Sequence, residues 1–169
     1  MTESNLPSGP FMKRIERILC PVDFSETSTK ALEYAERVAR STGAELVLLH
    51  VFDVYEDLGM LGQQVPADAT LPDKLQAIGP SVPDVRVERV LHGGPPAEVI
   101  CWMAQNRHCD LIVMGTHGRG GLAHLFLGSV AEHVLRHARS PVVVVRNRPA
   151  NERPLEEPRV LPLRPPRFL

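Results

Sequence analysis

The chain has 169 residues, 43% hydrophobic and 23% charged, with a formal net charge of −1. That length is enough for one domain with a substantial core, and the composition fits a globular protein rather than a disordered or fibrous one. Near-zero net charge gives no reason to expect nucleic acid or an anionic membrane as a partner, and no apolar run approaches the roughly 20 residues that cross a bilayer.

Residues 1–13 read as a flexible lead. Met1 to Pro10 is polar, with Pro7, Gly9 and Pro10, and lacks the apolar stretch of a signal peptide. The expected location is therefore cytoplasmic. Cys20, Cys101 and Cys109 form an odd set without a CxxC pair, which points to free thiols in a reducing compartment.

Ile15 to Val22 is a strand candidate. Ser25 or Thr27 suits the N-cap of a following helix, in which Ala31, Leu32, Ala35, Val38 and Ala39 share one face. Gly43 falls where a left-handed cap residue belongs. Glu45 to Val51 is a second strand, and its unbroken Leu46-Val47-Leu48-Leu49 run predicts cover on both faces, as in a parallel sheet.

Phe52 to Pro83 is hard to read. It holds Gly59, Gly62 and Gly79 with Pro66, Pro72, Pro80 and Pro83, and only Leu71 to Ile78 suggests a short helix. Val85 to Leu91 alternates valines with charges, which predicts a third strand, and His92-Gly93-Gly94 predicts a turn. Pro95 or Pro96 suits the first turn of a helix reaching Asn106, with Val99, Ile100, Met103 and Trp102 on its apolar face. Asp110 to Met114 is the fourth strand. Val130, Ala131, Val134, Leu135 and Ala138 line the last helix, and Val142 to Val145 forms a fifth, β-branched strand. Strands alternating with helices specify an α/β fold with a parallel sheet. Residues 147–169, with six prolines and five arginines, read as an extended tail outside the domain at 14–146.

One spacing stands out. Gly115-Thr116-His117-Gly118 is followed by nine residues, Arg119 to Leu127, and then by Gly128-Ser129. A strand opens into a glycine-rich loop that closes onto a helix N-terminus. Glycine lets the backbone approach an anion, and unpaired helix N–H groups point at it.

In this G-x2-G-x9-G-[ST] pattern, and in Ile18-Leu19-Cys20-Pro21-Val22-Asp23-Phe24-Ser25, the sequence resembles the nucleotide-binding branch of the universal stress protein family. The resemblance runs from Arg14 to Arg146. It implies a single-domain open five-stranded sheet in the order 3-2-1-4-5, with helices on both faces. In that order, the ends of strands 1 and 4 meet at the switch point, where open α/β sheets bind ligands. The resemblance also implies an adenine nucleotide, ATP above all, with Mg²⁺ as a candidate companion. It places Asp23 beside adenine or ribose. Pro21, Val22, Val51 and Met114 would line the adenine pocket. Gly115, Gly118, Arg119, Gly128, Ser129 and Val130 would meet the phosphates. A long second helix is usual in the family, and here it is shortened or broken.

Blander readings stand beside these. Gly115 and Gly118 could serve a tight turn. Ser129-x-x-Glu132 is a capping box, which needs no ligand. Asp23 could simply start a turn, Val51 could be core, and Arg119 could be solvated. His117 and His124 lack a partner that would define a catalytic dyad. His133 and His137 have metal-ligand spacing but no evident third ligand, and His108-Cys109 is weaker still. There is no P-loop and no evident carboxylate pair for two-metal chemistry. No catalytic or metal-ligating residue is therefore assigned.

The expected function is nucleotide binding, as a stress-response sensor or partner-binding switch. The alternatives are a slow ATPase or nucleotidyl-transferring enzyme on the same fold, a ligand-free dimerisation module, and a flavin-binding flavodoxin-like protein. A homodimer is expected through the four-valine edge strand Val142 to Val145.

Overall fold

Apolar strands and amphipathic helices alternate along the chain. The computed structural model describes residues 14–52, 68–78, 84–116 and 127–146. The elements are β1 (Arg17–Pro21), α1 (Glu26–Thr42), β2 (Glu45–Phe52), α2 (Leu71–Ala77), β3 (Val87–Gly93), α3 (Pro96–Asn106), β4 (Leu111–Gly115), α4 (Ser129–His137) and β5 (Val142–Val145). The expected lead at 1–13 and tail at 147–169 lie outside the described residues.

All five strands are parallel, in the order β3-β2-β1-β4-β5. This is the order that the resemblance implies. The continuous apolar runs have the expected consequence. Ile18, Cys20, Leu46, Leu48 and Val113 face one side of the sheet, with α1 and Leu75 of α2 over them. Leu19, Val47, Leu49, Ile112 and Met114 face the other side, under α3 and α4. Each fully buried Leu or Ile contributes about 1.5–3 kcal/mol relative to exposure.

α1 begins at Ser25, whose side chain accepts from the Ser28 N–H, and ends at Gly43 with φ 74°. Its buried face is Ala31, Leu32, Ala35 and Ala39, so small side chains bring the helix close to the central strands. The second helix is short, as read. Arg89 holds it to β3 by donating from Nε to Leu75 O at 3.1 Å and from Nη2 to Ile78 O at 2.9 Å.

Four local expectations need correction. The third strand starts two residues later than Val85 and runs through His92 and Gly93, which pair with Val51 and Phe52 of β2. The turn falls at Gly94, where φ is 132°. Trp102 is 51% exposed and Leu135 44% exposed, although both match the helical spacing of core residues. Trp102 meets the sheet only at its edge, where its ring lies 5.3 Å from that of His92 in β3. The capping box at Ser129 is absent. Gly128 is the N-cap, without a side-chain cap bond, and Glu132 pairs instead with Arg136 one turn on, at 2.7 Å.

Candidate functional site

The C-terminal ends of β2, β1 and β4 lie side by side. Pro21 pairs with Leu49, and Leu19 with Ile112. Two residues further on come Val51 in β2 and Met114 in β4. Side chains alternate along a strand, so Pro21, Val51 and Met114 share the face that α3 and α4 cover. Met114 is buried in that cluster, and Val51 packs half-buried against it. Val22 turns the other way, and its side chain is buried under α1. Its backbone stays with the strand ends, since its N–H donates to Leu49 O at 2.8 Å.

The glycine signature closes on itself. Thr116 donates its N–H to Val145 O at 3.0 Å, and its own carbonyl accepts from the Gly128 N–H at 2.8 Å. The end of β4 and the N-cap of α4 are therefore joined directly. The first helical bond runs from the Glu132 N–H to Gly128 O at 2.9 Å. Ser129 and Val130 thus occupy the first turn, where N–H groups have no intrahelical acceptor. Ser129 is exposed, and Val130 packs half-buried on the α3 and α4 side. Gly118 and Arg119 lie outside the described residues, as do His117 and His124.

Gly115 has a packing role that needs no ligand. A β-carbon there would lie 3.0 Å from the carbonyl carbon of Thr27, and 3.1 Å from both its β-carbon and its carbonyl oxygen. The end of β4 therefore touches the first turn of α1. This contact was not legible in the spacing, which reads equally well as room for an anion.

Asp23 lies in the turn between β1 and α1. Its Oδ1 accepts from the Ser25 N–H at 3.0 Å and from the Ser25 hydroxyl at 2.6 Å. The turn carries strain: Phe24 has φ 65°, a region that bulky side chains rarely enter. Phe24 stacks obliquely on His50, with ring centroids 4.5 Å apart. His50, buried in β2, places Nδ1 2.7 Å from Val22 O. A carbonyl can only accept, so Nδ1 carries the proton in this bond. His50 thus braces the backbone immediately before Asp23. Its signal in the sequence is a lone histidine inside the apolar run Leu46 to Phe52.

The remaining candidates stay apart from this cluster. His133 and His137 stack on each other at 4.1 Å, and His137 Nδ1 lies 2.8 Å from His133 O. Among the described residues, no group of three or more His, Cys, Asp or Glu side chains could hold a metal ion. The three cysteines are free. Burial, with Glu36 nearby, raises the Cys20 thiol far above its ordinary range. Burial pushes Cys109 up to about 11, against the opposing pull of Arg17. Neither is a ready nucleophile. No helix among the described residues is long and apolar enough to cross a membrane.

Comparison with known proteins agrees with this architecture. A universal stress protein of Methanocaldococcus jannaschii is 30% identical, over 79% of this chain and 96% of its own length. The solved structure of that protein superposes with a TM-score of 0.65, covering 82% of this chain and 100% of the other at 30% identity. A universal stress protein of Thermus aquaticus is 34% identical, over 76% of this chain and 97% of its own length. The chain spans less than half of a Mycolicibacterium smegmatis universal stress protein, 46% of it, at 34% identity. The family model for universal stress proteins matches residues 14–146, and the chain belongs to that family.

Proposed function

We propose that the chain binds an adenine nucleotide, ATP being the preferred ligand, at the ends of β1 and β4, and that it acts as a nucleotide-dependent stress-response sensor or partner-binding switch. One observation carries the reading. The Gly128 N–H bonds Thr116 O at 2.8 Å, which puts the first turn of α4 beside the end of β4, on the same sheet face as Pro21, Val51 and Met114. Apolar side chains and a helix N-terminus are thereby set side by side. Adenine suits the first, and phosphate the second.

In this reading Asp23 recognises the nucleoside. Gly115, Gly118, Gly128, Ser129 and Val130 surround the phosphates, Arg119 offsets their charge, and Mg²⁺ accompanies them without an assigned protein ligand. Solved universal stress proteins with this fold include one in complex with cAMP, at 22% identity and a TM-score of 0.54, and one from Archaeoglobus fulgidus in complex with dAMP, at 21% and 0.58. At that distance they speak for the fold, and the residues above must carry the assignment here.

A homodimer through β5 belongs to the same reading. Pro141 O and Val145 O accept from Ile112 of β4 and from Thr116 just beyond it. Backbone groups alternate in direction along a strand, so Val142 and Val144 direct theirs to the open edge of the sheet. The domain in this proposal is 14–146, within the cytoplasm.

The test has two parts. Mass spectrometry after denaturation identifies nucleotide that co-purifies with the protein. Calorimetry then compares ATP binding to the stripped wild type, Gly118→Val, Gly128→Glu and Asp23→Ala. The glycine variants should lose phosphate binding, by steric block and by like charge respectively. Equal affinity in all four proteins, or none in the wild type, rejects the reading.

A further inference from the structure

Asp23 is held in place before any ligand arrives. The two bonds from Ser25 to Oδ1 come from one residue's N–H and hydroxyl, at 3.0 and 2.6 Å. The shorter distance is that of a hydroxyl donating to a charged carboxylate. Ser25 Oγ also accepts from the Ser28 N–H at 3.2 Å and lies 3.0 Å from Thr27 Oγ1. A serine hydroxyl has one proton and two lone pairs. With its proton on Asp23, Ser25 accepts in both other contacts, so the Thr27 hydroxyl is the donor to it. The hydroxyl is fully used.

Capping explains only part of this. The Ser28 N–H calls for an acceptor, which Asp supplies as well as Ser, and Gly is tolerated at an N-cap at little cost. The proton given to Asp23 has no capping role. It fixes the rotation of the carboxylate and thereby the direction in which Oδ2 points. The same chain of hydroxyls reaches Thr27, whose backbone packs on Gly115. The nucleoside end and the phosphate end of the site are thus joined through the first turn of α1.

We infer that Ser25 is a positioning residue for nucleoside recognition: by holding Asp23 Oδ1, it presets Oδ2 for the ligand. The inference rests on the nucleotide-binding reading above. Its physical basis is preorganisation, since a carboxylate ordered during folding need not be ordered again on binding.

The experiment is a double-mutant cycle on ATP affinity, measured by calorimetry together with the melting temperature of each protein. Ser25→Gly removes the hydroxyl but keeps a residue suited to the N-cap. Ser25→Thr keeps the hydroxyl. Ser25→Gly should bind ATP about tenfold more weakly than wild type, as expected for a charge-assisted bond acting at one remove. In the Asp23→Ala background the same substitution should have no further effect, and Ser25→Thr should stay within about twofold of wild type. If Ser25→Gly lacks a cooperative melting transition, Ser25→Asp replaces it. That variant caps equally well and repels Asp23, and adenosine is then the ligand because it carries no phosphate for the new charge to repel. Wild-type affinity in the hydroxyl-free variant, or equal losses with and without Asp23, overturns the inference while leaving the nucleotide site standing. A wild type that binds no ATP overturns both.

Discussion

Replacing Gly115 with alanine adds one methyl group where β4 meets α1. The new carbon would sit 3.0 Å from the Thr27 carbonyl carbon and 3.1 Å from its oxygen and β-carbon. Carbon atoms pack best at about 3.5–4.0 Å, so the overlap is roughly half an ångström. Two of the three atoms are helix backbone. Relief therefore requires α1 to move, and α1 is pinned by Ala31 and Ala35, both fully buried. Overpacking of this kind costs about 1–3 kcal/mol. Gly115 is not in the left-handed region, so alanine regains about 0.4–1 kcal/mol through the less flexible unfolded chain. A net loss of roughly 1–2 kcal/mol lowers the melting temperature by roughly 3–10 °C for a domain of this size. Thermal denaturation of the ligand-free protein, followed by circular dichroism, is the assay. An unchanged or raised melting temperature, with only ATP binding impaired, would show that Gly115 makes room for the ligand and not for α1.

Val144→Pro should convert a dimer to a monomer at micromolar concentration in sedimentation experiments, because it deletes an outward donor of β5 while sparing the bonds to β4; an unaltered dimer places the interface elsewhere. His50→Leu should lower ATP affinity by about three- to tenfold through loss of the brace on Val22, while His50→Asn, which can restore a donor near Nδ1, should recover most of it; equal affinities in calorimetry would dismiss the brace. A thiol reagent at pH 8 should modify partly exposed Cys101 before Cys20 and Cys109, whose thiols burial keeps protonated; equally rapid labelling of all three would contradict their burial. Stability should also fall as pH rises from about 9 to about 11. In that window unfolded Cys109 loses its proton while the folded thiol retains it, so the unfolded state binds fewer protons. A denaturant midpoint constant across the window would refute this.

Strands buried on both faces announced themselves. Leu46 to Leu49 and Leu111 to Met114 are continuous apolar runs, and β2 and β4 fall there. β3 was misplaced because it is an edge strand. Only half-buried, it mixes valines with Glu88, Arg89 and His92, so its pattern has no sharp limits. His92-Gly93-Gly94 carries the composition of a turn, yet pairing with β2 carries the strand through Gly93. Local composition lost there to backbone hydrogen bonds across the sheet. The stripe on α4 misled in the same way, because helical spacing marks one side of a helix but not where its neighbour ends.

The site divides along a similar line. Candidates named for their own backbone came from local pattern, because glycine spacing and strand ends are properties of the chain itself. Gly115 ends β4 and Gly128 caps α4, and the bond from Gly128 to Thr116 brings these two positions together. Residues that act by touching others were not legible. Ser25 read as a cap, and it is one, but its proton on Asp23 depends on the turn that Phe24 makes at positive φ. His50 lies 28 residues from Val22, its hydrogen-bond partner, and only the parallel pairing of β1 with β2 brings them together. Those same residues separate binding from folding. α1 and the strand ends would form around any side chain that caps at position 25 and packs at position 50. The choice of serine, which donates as well as accepts, and of histidine, which carries a donor into a buried strand, needs a cause beyond packing. A preset Asp23 supplies one.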